Sequence, residues 1–285
     1  MLRISKLSFP GLGIGEFDID STAFTIGKTD IAWYAVIITF GMILAVSYLI
    51  FRAKQVGIRS DDVLDFALWA IPIGIVGARL YYVLAKIEDY HSFSEVIDIR
   101  SGGLAIYGGI LAGALTVFIV SRVKKIPFLV IADCCTPGII LAQAIGRWGN
   151  FTNGEAFGAE TDIFCRMGIK NWLTGYQTLY VHPTFLYESL WNLLGFVLVN
   201  IFYKKRKYDG QVFLFVFGWY GLGRMFIEGL RSDSLYTQIF GLEFRTSQIL
   251  AALIFAACLT ALIYFAIKKP NKPLFNNNTN AKKEV

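Results

Sequence analysis

Apolar residues in this chain collect into seven long runs separated by short polar segments. The runs cover about 31–51, 64–85, 104–121, 128–146, 185–203, 211–228 and 247–267. Most approach the ~20 residues that a helix needs to cross ~30 Å of hydrocarbon. Lipid offers no partner to a backbone N–H or C=O, so an apolar run of this length is predicted to be a helix, which bonds its own backbone. Runs two, four and six contain polar residues that dilute their signal, and they are less firmly marked than runs one, five and seven. The pattern predicts an all-α fold: a polytopic membrane helical bundle of about seven transmembrane helices with an outer loop region. Residues 1–269 are expected to form a single integral-membrane domain, and the Asn/Lys-rich stretch 270–285 a disordered cytoplasmic tail.

Charge supports the count and adds a direction. The 285 residues are 55% hydrophobic and only 17% charged, below the roughly 25% of an ordinary soluble chain. Basic clusters recur at every second polar segment: Arg52, Lys54 and Arg59; Arg122, Lys124 and Lys125; Lys204 to Lys207; and Lys268, Lys269, Lys272, Lys282 and Lys283. Seven spans put all of them on one side, and an even number breaks the alternation. The positive-inside bias makes that side cytoplasmic, with the N-terminus outside and the C-terminus inside. The net charge of +6 then reflects orientation and contact with anionic membrane lipid, and nucleic acid is not an expected partner. Residues 1–30 lack a basic segment followed by an apolar one, so no cleavable signal peptide is expected and the first span directs insertion.

Cys134 and Cys135 lie in the fourth run, Cys258 in the seventh and Cys165 alone in an outer segment. This spacing matches neither a disulfide framework nor a metal site. His91 and His182 have no metal-binding partner at helical spacing. Neither a metal nor an organic cofactor is expected.

The chemistry concentrates at outer ends of the spans. Residues 146–158 read Gly-Arg-Trp-Gly-Asn-Phe-Thr-Asn-Gly-Glu-Ala-Phe-Gly directly after an apolar run, which crowds Arg147, Asn150, Asn153 and Glu155 against the membrane. Ionisable groups at that depth are costly and mark function by default. Three further groups share this side: Gly221 to Glu228 with Arg231 beyond, His182-Pro-Thr-Phe-Leu-Tyr-Glu188, and Ser101-Gly-Gly-Leu-Ala-Ile-Tyr-Gly-Gly109. Arg224 and Glu228 are four apart and share a helix face, where they can satisfy each other as a plain ion pair. Arg79, in the second run, has no acid at helical spacing and is expected to pair across helices. The Gly-Gly pairs suit close helix packing, and Trp33 and Tyr34 suit an interfacial aromatic belt. Taken together, the clusters converge on one membrane face, while the other shows only exposed basic loops. A guanidinium is always charged and fits phosphate oxygens two at a time, so the pattern points to a site for an anionic, phosphate-bearing amphiphile.

The 146–158 segment closely resembles the signature of the prolipoprotein diacylglyceryl transferases. The likeness extends to Trp33-Tyr34, to Gly102-Gly103 with Gly108-Gly109, to His182–Glu188 and to Arg224, Glu228 and Arg231. Members of that family are multi-pass enzymes of the bacterial inner membrane. They move the diacylglyceryl group of phosphatidylglycerol onto the lipobox cysteine thiol of a prolipoprotein signal peptide, forming a thioether and releasing glycerol phosphate. The resemblance implies the same activity, donor and acceptor here. It implies that Arg147, Arg224, Tyr107 and Glu155 are catalytic, and that Tyr34, Asn150, Asn153, Gly154, Glu228 and His182 bind substrate. In this scheme Arg147 and Arg224 lower the thiol pKa and stabilise the leaving phosphate, and Glu228 holds Arg224.

One position departs from the pattern. Many members carry a histidine where this chain has Tyr107, and a phenol near pKa 10 is a poor base. Tyr107 is therefore expected to position substrate, with His182 available as a substitute base. Two rival classes use similar residues. A non-catalytic phospholipid-binding or transport protein would show broken helices or internal repeats, and an acyltransferase using another lipid would show a nucleophile–base pair. The sequence displays neither.

Overall fold

The computed structural model describes residues 4–99, 102–232, 236–239, 242–268 and 274–276. The tail expected over 270–285 lies outside the described residues apart from 274–276. Among the described residues seven helices are long and apolar enough to cross a membrane: α1 (Trp33–Gln55), α2 (Ser60–Ala85), α4 (Ile106–Val123), α5 (Phe128–Asn153), α6 (Thr184–Phe202), α7 (Gln211–Ile227) and α8 (Thr246–Lys268), with a short helix α3 (Phe93–Ile97) between α2 and α4. The chain is a polytopic helical membrane protein. Local chemistry sets several boundaries. Gly57, at φ +77°, reverses the chain after α1, and Asp61 and Asp62 sit in the first turn of α2, where the helix dipole favours negative charge.

The segments read as outer loops contain strands that the apolar pattern does not announce. β1 (Ile4–Phe9), β2 (Ile14–Asp20), β5 (Met167–Lys170) and β6 (Leu179–Val181) form an antiparallel sheet in the order β2-β1-β5-β6. β3 (Thr22–Ile26) pairs with β4 (Thr29–Ala32), and β7 (Tyr236–Ile239) with β8 (Leu242–Arg245). The four-stranded sheet joins segments far apart in sequence, with Lys6 opposite Lys170. Its inner face buries Leu7, Met167, Ile169 and Val181 with Phe185 of α6, and Phe151 of α5 packs against this cluster. The end of α5 and the start of α6 are thereby fixed under one sheet.

By internal contacts the chain divides into two compact units, Met1–Tyr48 with Cys135–Leu274, and Leu49–Cys134 with Phe275–Val285. In the second unit α2 and α4 meet through glycine. A Cβ on Gly108 would lie 2.3 Å from the Gly77 carbonyl oxygen, and one on Gly77 would lie 2.3 Å from the Ala112 Cβ, so only hydrogen fits at either point. Lys124, after α4, is bonded by Asp62 at 2.7 Å and by Asp65, and these bonds raise its pKa above the ordinary lysine value.

Arg79 behaves differently from the expectation. It is 6% exposed, yet its guanidinium takes backbone carbonyls instead of an acid on another helix: Glu95 at 2.6 Å, Val96 at 2.8 Å, Gly102 at 2.8 Å and Gly103 at 3.0 Å. Gly102 and Gly103, at φ +91° and +74°, aim successive carbonyls at one side chain. Arg79 thus ties α2 to the segment that enters α4 and carries Tyr107. Arg79→Ala is expected to leave these carbonyls without their donor, at about 1–3 kcal/mol for each one kept from water. Hydrogen exchange at residues 95–99 and 102–104 should accelerate, whereas unchanged protection there would mean that these residues are held by other contacts.

Candidate active site

The first unit builds the site from the ends of α5, α6 and α7. At the end of α5, Arg147 and Asn150 are one turn apart, and Arg147 Nη1 donates to Asn150 Oδ1 at 3.4 Å. Glu155 lies beyond the helix, where Oε1 accepts from Asn150 Nδ2 at 3.3 Å and Asn153 Nδ2 at 3.0 Å. The turn between them needs Gly154, whose φ is +61°. A Cβ there would fall 2.3 Å from Ser5 Oγ in β1, and its carbonyl accepts from Asn171 Nδ2 at 2.7 Å. Tyr34, at the start of α1, lies against this helix, since a Cβ on Gly149 would be 2.7 Å from its ring.

The centre of the site is Glu188, in the second turn of α6 and 4% exposed. Its carboxylate receives Arg147 at 2.5 Å, Arg224 at 3.1 Å and Arg231 at 3.3 Å. Arg224 also pairs with Glu228, one turn along α7 and 2% exposed. Three guanidiniums meet at the two buried carboxylates Glu188 and Glu228, and the Glu155 carboxylate reaches Arg147 only through Asn150. Arg147 is the most exposed of the three. Such a cluster suits an incoming anion, because its donors are already desolvated and held in place.

Backbone bonds join the three segments singled out in the sequence. Gly158 N–H donates to the His182 carbonyl at 3.0 Å, His182 N–H to Ala159 at 3.0 Å, and Ala159 N–H to Leu230 at 2.7 Å. α6 and α7 are fixed by two stacked indoles, with Trp191 and Trp219 centroids 4.3 Å apart. Each indole N–H donates to the other tryptophan's carbonyl at 2.9 Å. Gly223 and Gly195 make room for them, since a Cβ on either would come within 2.4 Å of the facing ring.

The sequence-predicted residues Arg147, Asn150, Asn153, Gly154, Glu155, Tyr34, Arg224, Glu228 and His182 all lie in this unit. Arg147, Arg224 and Glu228 join the cluster around Glu188. Asn150, Asn153 and Glu155 form a network attached to Arg147, and Gly154 supplies the turn. His182 contacts the Tyr187 hydroxyl, and burial lowers its pKa below the ordinary histidine value. Tyr107 lies in the other unit, in the first turn of α4, and is 40% exposed. Sequence reasoning did not select Glu188 or Arg231 as site residues. The available signal for Glu188 was an acid inside an apolar run, but its partner Arg224 is 36 residues away.

The family model described as prolipoprotein diacylglyceryl transferase matches residues 21–264 of this chain. The chain belongs to that family. Among its relatives, phosphatidylglycerol–prolipoprotein diacylglyceryl transferase 1 of Clostridium perfringens is 41% identical over 271 residues, covering 91% of this chain and 100% of the relative. The phosphatidylglycerol–prolipoprotein diacylglyceryl transferase of Clostridioides difficile is 42% identical, covering 89% and 98%, and that of Enterococcus faecalis is 42% identical, covering 93% and 97%. The Glu188 cluster, with the network at the end of α5 and the α7 pair, lies wholly inside the region that the prolipoprotein diacylglyceryl transferase model covers.

Proposed function

We propose that this chain transfers the diacylglyceryl group of phosphatidylglycerol to the lipobox cysteine thiol of a prolipoprotein, forming a thioether and releasing glycerol phosphate. The reading rests on family membership, and the observation that carries it physically is the buried Glu188 with its three arginines. The donor is an anionic lipid, and the arginine cluster lies at the ends of apolar helices, where a headgroup would sit. The orientation proposed puts the sheet and the arginines outside and the basic loops in the cytoplasm of a bacterial cell, in keeping with the positive-inside bias.

In this reaction the thiolate attacks the glycerol carbon that bears the phosphate ester. The carbon–oxygen bond breaks and its electron pair leaves on the phosphate. Arg147 and Arg224 bind the phosphate and gain strength as negative charge accumulates there, which is a transition-state role as well as a binding one. Their charge also favours the thiolate form of the acceptor. Asn150, Asn153 and Glu155 shape the headgroup pocket with Tyr34 beside them, Gly154 sets its turn, and Glu228 holds Arg224. Tyr107 positions substrate. Tyr107→Phe is accordingly expected to keep at least about a third of the transfer rate, because a positioning contact is worth less than a proton transfer. A dead Tyr107→Phe with a live Tyr107→His would instead place proton transfer at this residue.

The experiment that tests the function combines the purified protein, phosphatidylglycerol labelled in its acyl chains, and a lipobox peptide. Label is expected on the peptide through a thioether. Tight lipid binding without transfer would favour a non-catalytic lipid-binding protein.

A further inference from the structure

Next to the arginine cluster, a second group of reactive side chains meets at one oxygen. The Tyr187 hydroxyl lies 3.6 Å from the Cys165 Sγ and 3.4 Å from the His182 Nδ1. Three elements bring them together: the segment between α5 and β5 carries Cys165, the turn between β6 and α6 carries His182, and α6 carries Tyr187. Tyr187 immediately precedes Glu188, so its side chain leaves the helix ~100° around the axis from the carboxylate that gathers the arginines. The position of His182 is fixed by its backbone. Its N–H donates to Ala159, and its carbonyl accepts from Gly158 at 3.0 Å and Thr184 at 2.9 Å.

Hydrogen-bond capacity lets this group carry a proton from one end to the other. A neutral imidazole has one acceptor nitrogen, a phenol has one O–H and free lone pairs, and a thiol has one weak donor. With the Nε2–H tautomer of His182, both contacts are satisfied by an arrangement that runs from S–H to the phenol oxygen, and from the phenol O–H to Nδ1. A single proton can follow the same path from sulfur to imidazole. Burial lowers the His182 pKa, so the ring starts neutral near pH 7, with its nitrogen free to accept. The acceptor in the proposed reaction is itself a thiol, and none of the arginines can take its proton.

We infer that Tyr187 and His182 remove the proton of the acceptor cysteine, and that Cys165 occupies in the free chain the place where the acceptor thiol meets the Tyr187 hydroxyl. This rests on the transferase reading above and names the base that reading leaves open. The step balances. The thiol proton passes to the Tyr187 oxygen as the phenol's own proton passes to Nδ1. The sulfur electron pair forms the bond to the glycerol carbon, and the carbon–oxygen pair departs with glycerol phosphate against Arg147 and Arg224. The imidazolium then gives its proton to the departing phosphate or to water. No oxidant or further reactant is required.

Tyr187→Phe keeps the ring and removes only the hydroxyl. It is expected to lower kcat about 100-fold on a cysteine lipobox peptide, with KM for phosphatidylglycerol unchanged because no arginine is touched. His182→Gln is expected to do the same. Cys165→Ala should retain the wild-type kcat within about twofold, or exceed it. The deciding measurement replaces the acceptor cysteine of the peptide with selenocysteine, whose selenol is already ionised at neutral pH and needs no base. On that peptide both variants should recover to within about threefold of wild type. Wild-type kcat for Tyr187→Phe on the cysteine peptide would overturn the inference, as would an equal deficit on both peptides, which marks structural damage. A failure of the unmodified chain to form the thioether would remove the transferase reading itself, a separate outcome.

Discussion

Glu188→Gln is expected to lower transfer to below about 1% of the wild-type rate while the protein remains inserted in the membrane. Glutamine nearly matches the side chain in shape but removes the charge that Arg147, Arg224 and Arg231 share at 2.5–3.3 Å. Removing one partner of a buried ion pair typically costs about 3–5 kcal/mol, and even the lower figure in a barrier is more than 100-fold in rate. The guanidiniums would relieve their repulsion by moving apart, which destroys the spacing that a phosphate needs. The seven apolar helices do not depend on this contact for insertion. Glu188→Asp shortens the carboxylate by one methylene while keeping its charge, and should fall between glutamine and wild type. The assay is thioether formation in proteoliposomes, normalised to inserted protein. Full activity in Glu188→Gln would mean that the arginines are positioned by something else.

The second large effect concerns the arginines themselves. Arg147→Ala and Arg224→Ala are each expected to abolish transfer, a loss of about 1,000-fold or more, but with different effects on stability. Arg147 is the more exposed of the two and meets Glu188 and Asn150. Its removal leaves Glu188 with Arg224 and Arg231. Arg224 bridges Glu188 and Glu228, so its removal deprives two buried carboxylates of a partner. Arg224→Ala should therefore lower Tm in detergent, whereas Arg147→Ala should leave it nearly unchanged. Normal transfer in both variants would remove the phosphate-binding role. Lysine is expected to rescue neither fully, because an ammonium cannot bridge two oxygens with a planar pair of donors.

The helices were legible in the sequence because lipid leaves an apolar run little choice, and the basic clusters fixed their number. The sheet was not legible. Its strands have three to seven residues, and four spans separate β1 from β5 in the sequence. A three-residue strand such as Leu179–Val181 carries too little periodicity to be distinguished from a loop. The site shows the same division. Arg147, Asn150, Asn153 and Glu155 lie within nine residues of one another and were visible as a motif. The pairing of Arg224 with Glu228 was visible as helical spacing. Glu188 as a common partner depends on how α5, α6 and α7 pack, and no local pattern encodes that. Arg79 was expected to meet an acid. It meets carbonyls instead, because two glycines with left-handed backbone turn them toward it.

The tryptophan pair between α6 and α7 has a mechanical consequence. Each indole donates to the other tryptophan's carbonyl, and each is seated on a glycine of the facing helix. Sliding one helix past the other by a single residue, ~1.5 Å, would misalign both bonds and shift each ring away from its glycine. The pair acts as a shear pin. Glu188 and Arg224 lie one on each helix, so the register that the tryptophans hold also sets the spacing of this ion pair, on which the proposed phosphate site depends.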